Sequence, residues 1–303
     1  MRGIIRGVIP VAPTVFLDNE DLDLPGQRRV VDYLEAAESD AVCILANFSE
    51  QFSLTDAERQ HVIDASVDQA DGRMPVVVAT SHFSARIAKA RCQDAAARGA
   101  AMVMLMPPFF GATMSVPEGA VLEYFKRVVG DLDADVMVQD SPLSTTPLSV
   151  ELLGEIARAI PQVRYAKIEV PRTAAKLRAL AASAADLPGL YDGEESVTLI
   201  PDLDAGAQGT MCSAVVPDEL GRIVRSFHDN QRESAVRAWE AVLPLIHFEN
   251  RQCGLGAAKY LLAAGGIIRS ARTRAPLAEL APTTGEELLE LARRRDALVL
   301  RWA

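Results

Sequence analysis

Cysteine is scarce in this chain of 303 residues, and the four present, Cys43, Cys92, Cys212 and Cys253, are widely spaced and form no CxxC pair. That excludes a disulfide framework and a thiolate metal cluster, and leads to the expectation of a reduced, cytoplasmic protein. Histidine is as sparse. His61, His82, His228 and His247 fall at no metal-ligand spacing, so metal-dependent chemistry is disfavoured, and neither a metal nor a cofactor is expected. Positive charge is outnumbered, with 31 Lys and Arg against 41 Asp and Glu and a formal net charge of -10. A phosphate backbone or an anionic bilayer would be repelled, which argues against nucleic-acid or membrane partners. Long apolar runs are missing too. The opening "MRGIIRGVIPVAPTVF" is broken by Arg6, Pro10 and Pro13, and reads as a first strand rather than a signal peptide or membrane span. No Pro/Gly/Ser-rich linker divides the chain. The glycines of "GLGAAKYLLAAGG" follow no strand and make no dinucleotide fingerprint, and Lys259 among them reads as a helix-surface residue.

What the chain does have is a regular alternation of apolar strand-like runs and helical patterns. Eight runs qualify as strands: 7–13, 41–47, 75–80, 101–107, 134–140, 163–170, 189–193 and 209–215. Helical stretches lie between them, one opened by Thr55 with Glu58 three residues later as a capping box, another opened by Ser84 and closed near Gly99. This rhythm predicts an α/β fold, a (β/α)8 barrel over residues 1–228 whose functional groups gather at the C-terminal ends of the strands. Residues 229–303 read as a C-terminal extension of three helices.

One strand stands out. In "VRYAKIEVP", successive side chains alternate between faces, so Val163, Tyr165, Lys167 and Glu169 share one face. The barrel puts Lys167 and Glu169 at the end of strand six, aimed into the mouth. An ammonium desolvated there gives up its proton more easily, and the free amine can attack a ketone to form a Schiff base. A structural Lys–Glu ion pair fits the same spacing, and spacing alone leaves both open.

Ordered motifs along the chain narrow the choice. "PTVF" (13–16), "ANFSEQFSLTDAER" (46–59), "MPPFFG" (106–111), "VQDSP" (138–142), "YAKIE" (165–169) and "DAGAQGTMCSAVVP" (204–217) resemble, in order, the motifs of the dihydrodipicolinate synthase and N-acetylneuraminate lyase family. That resemblance covers nearly the whole chain. It implies that Lys167 condenses with the C2 carbonyl of a small-molecule 2-oxo acid and that the chain forms a homo-oligomer, most often a tetramer in this family.

The departures from the family pattern bear on the reaction. Where most members keep a proton-relaying tyrosine, this chain has Gln139, and an amide cannot serve as a general acid or base near neutral pH. The loop threonines are replaced by Asn47 and Phe48, and the loop after strand four offers Phe109 and Phe110 without a hydroxyl. Glu169 adds a carboxylate two places after the lysine and reads as the replacement base. "QDSP" and "KIEVP" are similar to a subgroup, the 2-keto-3-deoxy-L-arabonate dehydratases. The resemblance therefore implies elimination of water, with Lys167, Glu169 and Gln139 as the catalytic set. Two alternatives remain, a class I aldolase releasing pyruvate and a non-catalytic binder of 2-oxo acids. Asn47, Phe48, Ser49, Gly193, Glu195 and Met211 are expected to contact the substrate. Glu195 also suits a plain helix N-terminal charge. His82 could reach the mouth or simply serve its loop, and His61 reads as a surface or packing residue.

Overall fold

The computed structural model describes residues 3–109, 116–183 and 187–303. Strands and helices alternate in the order β1 (Gly7–Val8), α1 (Leu24–Ala36), β2 (Val42–Ile44), α2 (Asp56–Ala70), β3 (Val76–Ala79), α3 (Ala85–Ala97), β4 (Met102–Leu105), α4 (Glu118–Val129), β5 (Asp135–Asp140), α5 (Val150–Ala159), β6 (Val163–Ile168), α6 (Thr173–Ala182), β7 (Gly189–Asp192), α7 (Leu199–Asp204), β8 (Gly209–Thr210) and α8 (Pro217–His228). Every strand falls within the run that the sequence predicts, and the fold is an α/β (β/α)8 barrel. Three further helices follow: α9 (Arg232–Phe248), α10 (Gly256–Ala264) and α11 (Pro282–Arg294).

The chain divides into two compact units. The first contains Val77–Glu194, Thr198–Met211 and the segment ending at Arg6. Within it β3 to β8 pair in chain order, all parallel. The residues of β3, β4 and β7 are buried throughout, as in a parallel sheet with both faces covered, which is why β3 and β4 read as unbroken apolar runs. Inside this sheet Tyr165 and Tyr191 bind one backbone residue. The Ile5 N–H donates to the Tyr165 hydroxyl (3.0 Å), and the Tyr191 hydroxyl donates to the Ile5 carbonyl (2.8 Å). Gly189 makes room for this arrangement, since a Cβ there would lie 2.1 Å from the Tyr165 ring.

The second unit contains Gly7–Val76, Glu195–Val197 and Cys212–Ala303. Here Val11 forms parallel bridges to both Cys43 and Ser213, with Val11 N–H donating to the Cys212 carbonyl (2.7 Å) and Ala12 N–H to the Cys43 carbonyl (2.8 Å). The segment after β1 is thus bridged to β2 on one side and to Cys212–Ser213 on the other. The predicted capping box on α2 is present: Glu58 N–H donates to Thr55 Oγ1 (3.2 Å) and Thr55 N–H to Glu58 Oε2 (2.9 Å). Ser84 precedes α3 as expected, but its hydroxyl makes no capping bond. Its backbone N–H donates instead to Nδ1 of His82 (2.9 Å), whose carbonyl accepts from the Tyr124 hydroxyl (2.7 Å), so His82 serves its loop. His61 is exposed on α2.

Behind the end of β7 lies a carboxyl pair. Asp192 is fully buried and accepts from Thr210 Oγ1 (2.7 Å) and the Glu194 N–H (2.8 Å). Asp202 of α7 is equally buried. Its Oδ2 accepts from Thr198 Oγ1 (2.7 Å), while Oδ1 has no hydrogen-bond partner among the described residues. Burial, and then the Asp192 carboxylate, push Asp202 from 3.8 up to about 7. A carboxyl raised on folding holds an extra proton in the native state between those two values, so stability falls as pH rises through the window. Asp202→Asn is therefore expected to melt above wild type at pH 8, with the gap closing as pH approaches 4, in thermal melts followed by circular dichroism. A gap that does not change with pH would contradict the raised carboxyl.

Candidate active site at the end of the sixth strand

Sheet register brings the predicted catalytic side chains together. Gln139 on β5 is the Cα partner of Lys167 on β6, and Lys167 in turn pairs with Tyr191 on β7, so the three share one layer and one face. The next layer faces the other way. There Asp140 accepts from the Lys176 ammonium of α6 (2.5 Å), which also donates to the Leu148 carbonyl. The two polar residues of "QDSP" are thus divided between the two faces of the strand. The ladder runs one residue past β6, because Glu169 N–H donates to the Asp140 carbonyl (2.9 Å), and this keeps Glu169 on the face of Lys167.

The Lys167 ammonium lies 3.3 Å from Glu169 Oε2, with the two side chains 4% and 15% exposed. Gln139 Nε2 donates to the same oxygen at 2.6 Å. The amide oxygen of Gln139 is buried and has no hydrogen-bond partner among the described residues. Gly193 completes the cluster. Its N–H donates to the Ile168 carbonyl (2.8 Å), and a Cβ on it would lie 2.9 Å from both Cγ and Cε of Lys167. Only glycine leaves that channel open for the lysine stem.

The three tyrosines of this unit are committed elsewhere. Tyr165 and Tyr191 bind Ile5, Tyr124 donates to His82, and burial holds Tyr124 and Tyr165 above the ordinary phenol range. The phenol missing at position 139 is not replaced from these positions. Among the described residues no three His, Cys, Asp or Glu side chains lie together as metal ligands would, and no helix is long and apolar enough to cross a membrane.

The expected substrate contacts divide between the units. Gly193 and Met211 belong with Lys167 in the first; Met211 is fully buried, and its N–H donates to the Asp192 carbonyl (2.9 Å). Asn47, Phe48, Ser49 and Glu195 belong to the second. Asn47, Phe48 and Ser49 form a short 3-10 turn after β2. Ser49 Oγ donates to the Ala12 carbonyl (2.6 Å), the Ser49 carbonyl accepts from Thr14 Oγ1 (2.6 Å), and Asn47 Oδ1 accepts from Gln51 Nε2 (2.6 Å). The Ser49 hydroxyl proton is thus spent on tying this turn to the segment after β1. Glu195 and Ser196 are both left-handed (φ 54° and 69°), and the Trp239 indole of α9 donates to the Ser196 carbonyl (3.0 Å). Phe109 is half-buried, whereas Phe110 lies outside the described residues.

Lys259 is the clearest miss of the sequence reading. Expected on a helix surface, it is buried and ion-paired with Glu50. The signal was there: the residues three and four positions away, Leu255, Gly256, Leu262 and Ala263, are all apolar, so Lys259 sits on an apolar face.

The fold and this cluster define a (β/α)8 barrel with a lysine and a carboxylate at the end of its sixth strand. The chain belongs to the dihydrodipicolinate synthetase family, whose model matches residues 4–294. It is 48% identical over 299 residues, 98% of this chain and 97% of the relative, to L-2-keto-3-deoxyarabonate dehydratase of Azospirillum brasilense. It is 26% identical over 246 residues, 80% of each chain, to 4-hydroxy-tetrahydrodipicolinate synthase of Salinibacter ruber. Among solved structures, dihydrodipicolinate synthase from Rhodopseudomonas palustris superposes with a TM-score of 0.87 at 26% identity, over 95% of this chain and 97% of that one.

The Gly193 contact gives a direct test. Gly193→Ala is expected to displace the lysine stem and slow borohydride-trapped adduct formation with pyruvate by about 10- to 100-fold, on the scale of a misplaced reacting group. Wild-type trapping rates in a folded Gly193→Ala protein would show that the lysine has room to spare.

Proposed function

We propose that this protein is a hydro-lyase that removes water from a 2-keto-3-deoxy sugar acid through a Schiff base on Lys167, and that its substrate is 2-keto-3-deoxy-L-arabonate. The observation that carries the reading is the Glu169 carboxylate held between Lys167 and Gln139. The near-full-length likeness to a dehydratase supports it.

The chemistry balances on these residues. Proton transfer from the ammonium frees the Lys167 amine, which attacks C2 and expels the carbonyl oxygen as water to leave an iminium. The iminium acidifies C3, and Glu169 removes a C3 proton to give the enamine. The enamine electron pair then expels the C4 hydroxyl, which leaves as water with the proton that Glu169 returns. Loss of a C5 proton and reprotonation at C3 move the double bond to C4–C5. Tautomerisation of that enol gives the aldehyde, and hydrolysis of the imine releases 2-oxoglutarate semialdehyde and the amine. The open amide oxygen of Gln139 can accept from a substrate hydroxyl or a water while its nitrogen holds Glu169 in place. Retro-aldol cleavage instead needs the C4 hydroxyl deprotonated, which is the task of the phenol that Gln139 replaces.

Incubation with 2-keto-3-deoxy-L-arabonate, scoring semialdehyde against pyruvate, tests the assignment; pyruvate as the main product would make the enzyme an aldolase. Lys167→Ala is expected to lose both the trapped adduct and turnover. Glu169→Gln should keep the adduct and slow dehydration by about 10²- to 10⁴-fold. A Glu169→Gln protein with normal turnover and a much lower melting temperature would leave Glu169 as a structural ion-pair partner.

The same reading extends to assembly, with a homotetramer as the working form. Sedimentation of the chain as a monomer at micromolar concentration would remove that part.

A further inference from the structure

Within the second unit, the turn that carries Asn47, Phe48 and Ser49 ends on Glu50, whose backbone is left-handed (φ 57°, ψ 36°). Such a conformation is unfavourable for a non-glycine residue and persists only where its surroundings hold it. The surroundings here come from the C-terminal region. Glu50 Oε1 is ion-paired with the Lys259 ammonium of α10, both side chains being 1% exposed, and Glu50 Oε2 accepts from the Arg274 N–H (3.0 Å). Lys259 also donates to the Arg272 carbonyl (2.8 Å). The Arg274 side chain clamps the rest of the loop, donating to the carbonyls of Ser53 (2.9 Å) and Glu20 (2.7 Å) and to Glu58 Oε1 (2.5 Å). Both cations also approach the Phe16 ring, with the Lys259 ammonium 4.3 Å and the Arg274 guanidinium 4.5 Å from its centroid.

We propose that Lys259 is a positioning residue: by pairing with Glu50 it fixes the turn bearing Asn47, Phe48 and Ser49 in the geometry that receives the substrate. The inference rests on the proposed function in taking that turn as a substrate contact. A geometric role fits these contacts: the two carboxylate oxygens of one left-handed residue are each held by a different partner, the Lys259 ammonium and the Arg274 N–H, and a buried ion pair is by itself weak evidence for stability. Burial, against the pull of Glu50, brings Lys259 down to about 8.

Two measurements on full-length Lys259→Met and Glu50→Gln proteins test this: amide hydrogen exchange in peptides spanning residues 46–54, and steady-state kinetics. Exchange there is expected to speed up about tenfold or more, and KM for the keto-deoxy acid to rise about 10- to 100-fold, with kcat within about threefold of wild type. Unchanged exchange with unchanged KM in a folded variant overturns the proposal. So does faster exchange with unchanged KM, which would leave the pair a structural tie. If Lys259→Met does not fold, Glu50→Gln decides on the same criteria. A wild-type chain that turns over no keto-deoxy acid defeats the proposed function alone, because the exchange arm needs no substrate.

Discussion

A single carboxylate oxygen, Oε2 of Glu169, meets both the Lys167 ammonium and the Gln139 amide, and the arrangement around it constrains much of the first unit. The oxygen can be shared only if Lys167 and Glu169 stand two residues apart on one strand and Gln139 is in register on the next. It also requires the β6 ladder to run one residue beyond the strand. Each condition is met by backbone pairing rather than by the side chains themselves. The cluster is therefore set by the sheet before any rotamer is chosen, and Gly193 removes the one side chain that would push the lysine stem aside. A site built on strand ends in this way is more rigid than one assembled on loops.

The amide at position 139 follows from the same geometry. A phenol could donate to Glu169, but it would bring a second exchangeable proton beside the amine. An amide donates without titrating, so it leaves proton transfer in the cluster to Lys167 and Glu169. Elimination through an iminium asks for one such group to serve first as base and then as acid. The chain places its carboxylate beside the lysine and leaves the amide oxygen open.

How much of this was legible in the sequence depended on the range of the interactions. Strands such as Val76–Ala79 and Met102–Leu105 were readable because a parallel sheet buries both faces and leaves a local apolar run. The pairing of Lys167 with Glu169 follows from alternation over two residues. The pairing of Lys259 with Glu50 spans 209 positions, and no local pattern names the partner, although the apolar neighbours of Lys259 mark it as buried. Asp192 and Asp202 escaped for a related reason: each looks like an ordinary acidic residue near a helix or a turn. Only the fold shows that both are buried behind the end of β7. The Ser84 cap failed on the opposite scale, since sequence names the residue before the helix but not whether its hydroxyl turns toward the first turn.

Two left-handed sites within the second unit are tied down by residues that follow α8. Glu50 is held by Lys259 and Arg274, and the Glu195–Ser196 pair is held by the Trp239 indole on the Ser196 carbonyl. Both sites are non-glycine positions that would relax if released, and in both the tie comes from residues beyond α8. Glycine would adopt the same backbone without help, but it would also leave the turn free to sample others. A strained residue with a distant anchor keeps one conformation for as long as the anchor is in place. The residues after α8 therefore contribute more than covering surface: they hold the left-handed backbone of Glu50 and of Glu195–Ser196, adding to the hydrogen bonds that the turn after β2 makes for itself.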